Sequence, residues 1–221
     1  MTRVLLTGFE PFGGEPVNPS WQAVSTLVGG AGGGGYEPVA VELPCVFDRS
    51  LPALREAIAA HRPDVVVCVG QAGGRAGLSV ERVAVNLVDA RIPDNAGAQP
   101  LDVPVAENGP AAYFATLPVK ACAEAARAAG VPASVSHTAG TYVCNQVFYG
   151  LMHLLATDLA TEMPGVRGGF VHVPYSPEQV AAAGSAVPSL AIGDCAAGLD
   201  ALVRIAVEVR TDISVPGGSL H

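Results

Sequence analysis

The run Ser136-His137-Thr138-Ala139-Gly140-Thr141-Tyr142-Val143-Cys144-Asn145-Gln146-Val147-Phe148-Tyr149-Gly150 changes period in its middle. Ahead of it, Ala133 to Ser136 reads as a short strand, and Thr138 to Thr141 is turn material around Gly140. Behind it, Val147, Phe148, Leu151, Leu154 and Leu155 recur at three- and four-residue spacing, which predicts a helix. Cys144 is therefore expected where a loop becomes a helix. Unpaired amide hydrogens and the positive end of the helix dipole favour an anion there. A thiol so placed gives up its proton more readily and becomes the better nucleophile. The competing reading is a buried cysteine acting as a small apolar side chain.

The same alternation runs outward in both directions. Arg3 to Leu6, Val39 to Val46, Val65 to Val69 and Gly168 to Val173 read as strands. Helices are expected from Ser20 (as N-cap) through Leu27, from Asp48 to Ala60 and from Lys120 to Ala129, with another opening at Ser176-Pro177-Glu178-Gln179. Val65 to Val69 is continuously apolar, as a strand covered on both faces must be. The expected fold is α/β, a single three-layer domain over residues 1–221. Its central sheet is twisted and mostly parallel, with helices on both faces. Cys68 and Cys122 are assigned to the core and to a helix without chemistry.

Four segments carry polar or aromatic groups that such a core does not explain. The loop Gly8 to Pro19 holds Phe9 and Phe12, which either plug the core or wall a small pocket. Gly70-Gln71-Ala72-Gly73-Gly74-Arg75 turns at the carboxyl end of a buried strand, where open α/β sheets bind ligands. Gln71 there offers an amide to a ligand or caps the loop. Read as one strand, Val80 to Leu87 puts Glu81 on the face of Val83, Val85 and Leu87. That carboxylate either pairs with a histidine or faces water at a strand end. Asp89 to Pro104, with Arg91 and Ile92, is a long loop of the kind that is often functional. Of five histidines, His172 at a strand end is the best placed base. His137 would have to fold back across a turn, and His153 lies on another face of the Cys144 helix.

Composition narrows the function. The chain has 221 residues, half of them apolar and only 14% charged, with a formal net charge of −8. No Lys/Arg cluster is present, which argues against nucleic acid or an anionic membrane as partner. The N-terminal apolar run is too short for a signal peptide, and no later run reaches membrane-spanning length. A soluble, cytoplasmic protein is expected. Five cysteines without a C-x-x-C pair fit free thiols in a reducing compartment and offer no zinc signature. The glycine-rich run Gly29 to Gly35, read as a flexible tip, lacks the Lys-Ser/Thr of a phosphate loop.

Several long blocks, in order, carry a resemblance: LLTGFEPFGG with Asn18-Pro19-Ser20-Trp21, GQAGGR, ERVAVN with DARIPDN, GPAAYFATLPVK, SHTAGTYVCNQVFYG and GFVHVPYSPEQV. The chain resembles the pyrrolidone-carboxylate peptidases (pyroglutamyl peptidase type I), a family of cysteine exopeptidases. The resemblance implies Cys144 as nucleophile, His172 as general base and Glu81 as the group orienting it. It implies that Phe9 and Phe12 sandwich a lactam ring whose amide Gln71 and Asn18 help to hold. Ile92, Tyr142 and Val143 would complete the pocket, and Arg91 with the Cys144 amide would face the oxyanion. Peptides with an N-terminal pyroglutamate, no metal or organic cofactor, and a homo-oligomer (dimer or tetramer) follow from the same likeness. The other readings are a catalytically inactive relative and a metabolite-binding α/β protein using the Gly70 loop. The Gly29–Gly35 run, Cys45 and the segment after Asp200 depart from the family pattern.

Overall fold

A computed structural model describes residues 1–30 and 34–218. In chain order it contains β1 (Thr2–Phe9), α1 (Pro19–Gly29), β2 (Tyr36–Leu43), α2 (Phe47–His61), β3 (Val65–Gln71), β4 (Leu78–Glu81) and β5 (Val83–Val85). There follow β6 (Ala112–Phe114), α3 (Val119–Ala128), β7 (Ala133–Ser136), α4 (Val143–Ala156), α5 (Asp158–Glu162), β8 (Arg167–Val173), α6 (Pro177–Ala182) and α7 (Ile192–Glu208). No helix is long and apolar enough to cross a membrane among the described residues.

Six strands form the central sheet in the order β2-β1-β3-β8-β4-β7. The first four run parallel; β4 runs antiparallel to β8, and β7 runs parallel to β4. The apolar run in β3 is explained by two cores, one on each face. Val65, Val67 and Val69 face α1, α3 and α7. Val66 and Cys68 face α2 and α4. Fully buried side chains such as Phe148 and Leu151 on α4 each contribute roughly 1.5–3 kcal/mol. The α/β expectation holds, with two reversed strands at one edge.

Two local expectations change, and a third lies partly outside the described residues. Val80 to Leu87 is not one strand: Arg82 ends β4, donates its N–H to Ser136 O and accepts from Ala115 N–H. The chain then enters a separate two-stranded ribbon, β5 with β6. The N-cap of α1 is Asn18 rather than Ser20, because Pro19 takes the first helical position and the Asn18 side chain accepts from Ser20 N–H. The predicted flexible tip at Gly29 to Gly35 begins with the last residue and C-cap of α1, and its middle, residues 31–33, lies outside the described residues, as does His221.

Candidate active site

The parallel register fixes the first part of the site. Gly70 of β3 stands beside His172 of β8, so both address the same face. Gly70 has no side chain, and Cys144 of α4 takes the space: a Cβ on Gly70 would lie 2.8 Å from Cys144 Sγ and 2.8 Å from Phe170 Cζ. Neighbouring strands are about 4.8 Å apart, so sulfur and imidazole share one face at one strand spacing. Among the described residues no direct hydrogen bond joins them.

The antiparallel register of β4 supplies the acid. Ser79 pairs with His172, and Glu81 pairs with Phe170 two residues deeper in the sheet. Glu81 therefore lies diagonally below the imidazole and is fully buried. Its Oε1 accepts from His172 Nδ1 at 2.7 Å and from Arg75 Nη1 at 2.6 Å. A carboxylate against Nδ1 holds the proton on that nitrogen and leaves the Nε2 lone pair free. Of the two open readings of Glu81, histidine pairing is the one found. Glu81 Oε2 is buried and has no partner among the described residues.

Cys144 is the second residue of α4, after Val143 and the N-cap Tyr142. The loop-to-helix expectation holds, and burial opposes the acidity inferred from it. Burial pushes the thiol well above its usual range, with Cys45 and Glu81 adding to the rise and Arg75 opposing it. Desolvating a thiolate works against the helix-start position. Burial likewise lowers the His172 pKa, against the raising effect of Glu81. Both directions favour a neutral thiol beside a neutral imidazole over a preformed ion pair.

The aromatic residues stand on two sides. Phe9 is buried, 6.4 Å from Phe170, whose ring is 4.9 Å from that of His172. Phe12 is half-buried, 6.1 Å from Tyr142, whose hydroxyl donates to Pro93 O. Ile92 is half-buried, Val143 is buried, and Arg91 is exposed. The Asn18 carboxamide is largely engaged: Oδ1 accepts from the N–H and Oγ of Ser20, and Nδ2 donates to Glu10 O.

Gln71 follows Gly70 in β3, so its side chain leaves the opposite face from Cys144 and meets Gln179 of α6. Its peptide groups remain relevant. Ala72 N–H donates to Val173 O, so Gln71's own N–H and C=O point the other way, toward β1. The β1–β3 register ends at Thr7 with Cys68, and Phe9 N–H turns to Ser20 Oγ.

Two groups escaped the sequence reading. Arg75, at the end of a glycine-rich turn, carries no signal in the sequence for its bond to Glu81. Asn145 carried no signal beyond its place beside Cys144. Its buried carboxamide accepts from Val85 N–H and donates to Val85 O and Leu87 O, tying the start of α4 to β5. His137 is apart from the site, against Gly217 O, and His153 bonds Tyr113. Two broad clefts open away from Cys144, one along β4 and β7 and one beside Trp21, so the site is marked by its chemistry rather than by cavity size.

A family model described as pyroglutamyl peptidase matches residues 2–210. The chain belongs to that family. It is 59% identical to the pyrrolidone-carboxylate peptidase of Streptomyces coelicolor and 57% identical to that of Cupriavidus taiwanensis, each over the full length of both chains. Among solved structures, pyroglutamyl peptidase I of Bacillus amyloliquefaciens superposes with a TM-score of 0.90 at 48% identity, covering 96% of this chain and 100% of the other. Pyrrolidone carboxyl peptidase of Thermococcus litoralis gives 0.89 at 36% identity, covering 98% and 100%. The family match runs past Asp200, so the start of the segment after it lies inside the match.

Proposed function

We propose that the chain is a cysteine omega peptidase that removes an N-terminal pyroglutamyl residue from peptides through a thioester. The observation that carries this reading is the buried 2.7 Å bond from His172 Nδ1 to Glu81, with the Cys144 sulfur packed on Gly70, the register partner of His172. Cys144 Sγ attacks the pyroglutamyl carbonyl as His172 Nε2 takes the thiol proton. His172 then returns that proton to the departing amine. A water deprotonated by His172 clears the thioester. Glu81 holds the imidazole in the required tautomer and offsets its charge as it becomes an imidazolium, and Arg75 holds Glu81.

The Cys144 backbone amide, in the first turn of α4, and Arg91 are assigned to the developing oxyanion. Phe9, Phe12, Ile92, Tyr142 and Val143 form the apolar part of the lactam pocket. The peptide N–H and C=O of Gln71 match the C=O and N–H of a cis lactam, and Asn18 has one amide hydrogen left to offer. An N-terminal glutamate would leave its charges unpaired there and is refused.

The protein is further proposed to work in the cytoplasm as a homo-oligomer of two or four copies. Exposed Phe114 and Leu101 supply apolar surface for such contacts, and light scattering measures the copy number. The activity is tested by release of a fluorescent amine from a pyroglutamyl amide, with Cys144→Ala as control. Turnover by the wild type alone is expected; equal signals from both would remove Cys144 from the mechanism.

A further inference from the structure

We infer that Gln179 is a positioning residue for the acyl pocket, tying the loop that carries Phe12 to the strand end that carries Gln71. This rests on the activity proposed above. Gln179 is the third residue of α6, buried to 5% exposure. Its Oε1 accepts from Ser176 N–H at 3.1 Å, and Ser176 Oγ accepts from its N–H at 3.3 Å. A backbone N–H only donates, so the carboxamide has a single orientation, with Nε2 turned away from Ser176.

That nitrogen makes two bonds, to Glu15 Oε2 at 3.2 Å and to Gln71 Oε1 at 3.3 Å. A carboxylate only accepts, which independently requires the same orientation. Three segments thus meet at one side chain: the loop after β1, the end of β3, and the chain that has just left His172. Glu15 is coupled directly to Phe12, because its N–H donates to Phe12 O at 3.2 Å across Gly13 and Gly14. Both glycines hold positive φ, 65° and 84°. The loop's other polar tethers, Asn95 on Pro11 O and Glu10, Cys45 N–H on Glu10 and Asn18 on Glu10 O, all hold residues ahead of Phe12.

Gln179 makes its contacts on the face of β3 opposite Cys144 and joins no residue assigned to proton transfer. Its loss leaves Glu15 and Gln71 without their shared partner and lets the Phe12 loop depart from the closed position for part of the time. Apparent affinity falls by the fraction of time the pocket is unformed, whereas bound substrate still meets an intact Cys144 and His172. The signature is a raised KM with little change in kcat.

The test uses the full chain and a fluorogenic pyroglutamyl amide. Gln179→Leu is expected to raise KM about tenfold with kcat within about twofold, and Glu15→Ala, which removes only the loop link, to do the same more weakly. Gln179→Glu sets two carboxylates against each other and raises KM. The exchange Glu15→Gln with Gln179→Glu restores the donor and acceptor pairing, with Gln71 turning its amide to donate, and returns KM close to wild type. Unchanged KM in both Gln179→Leu and Glu15→Ala, or a double variant no better than Gln179→Glu, overturns the assignment. If Gln179→Leu does not fold, Glu15→Ala and the exchange decide it. Loss of turnover in the wild type itself would instead overturn the peptidase reading.

Discussion

Gly70 and Cys144 are in contact, and the contact exists because Gly70 has no side chain. A Cβ there would sit 2.8 Å from the sulfur and 2.8 Å from Phe170 Cζ, closer than carbon and sulfur approach without something moving. Gly70→Ala is therefore expected to displace Cys144 or to tilt Phe170 against His172. A misplacement of about 1 Å at a reacting atom costs on the order of 10²-fold. Measured kcat/KM for a pyroglutamyl amide should fall by about that factor while the chain stays folded. Wild-type turnover would show that α4 yields freely.

The proton path assigns unequal weights to the two partners of Cys144. His172→Ala removes the base placed beside the sulfur and should lower kcat by roughly 10²–10⁴-fold. Glu81→Gln keeps the shape but loses the charge that steadies the imidazolium, so a smaller loss is expected. Arg75→Gln removes a charged donor from Glu81 and should reduce turnover less again. Single-turnover rates would rank the three, and a Glu81→Gln rate equal to wild type would end the orienting role.

Acidity offers a separate check. Burial raises the Cys144 pKa, and it lowers that of His172 against the opposing effect of Glu81. Neutral His172 is the active base, and its depressed pKa keeps it neutral below the ordinary imidazole value of about 6.5. The acid limb of kcat/KM should accordingly fall below that pH. In Glu81→Gln it should move further to acid, because the group that raises the His172 pKa is gone. Iodoacetamide should alkylate Cys144 at a rate still climbing above pH 9, past the ordinary thiol value of about 8.5. A plateau near pH 6 would mean a preformed thiolate–imidazolium pair.

Asn145 is expected to matter for stability more than for chemistry. Asn145→Ala leaves Val85 N–H, Val85 O and Leu87 O without their partner in a buried place. Losing such a set costs on the order of 3 kcal/mol, which corresponds to a drop in Tm of roughly 6–12 °C for a chain of this size. Calorimetry reads this directly, and an unchanged Tm would show that water replaces the carboxamide.

Local period and chain chemistry already encode much of this fold. The strand–turn–helix at Ala133 to Ala156, the doubly buried β3 and the place of Cys144 in the first turn of α4 were all legible, because side-chain spacing reports a face wherever one face is buried. The family blocks named the residues now assigned to the site. Which of them touch depends on the folded chain. Glu81 and His172, 91 residues apart, meet because β4 lies antiparallel to β8 in a register that sets Glu81 diagonally beneath the imidazole. Strand order and register arise from contacts between distant segments, and no window of sequence contains them. The same cause turns the Gln71 side chain away from the sulfur, brings Arg75 onto Glu81, and packs the half-buried Cys144 so that desolvation opposes the acidity its helix position implies.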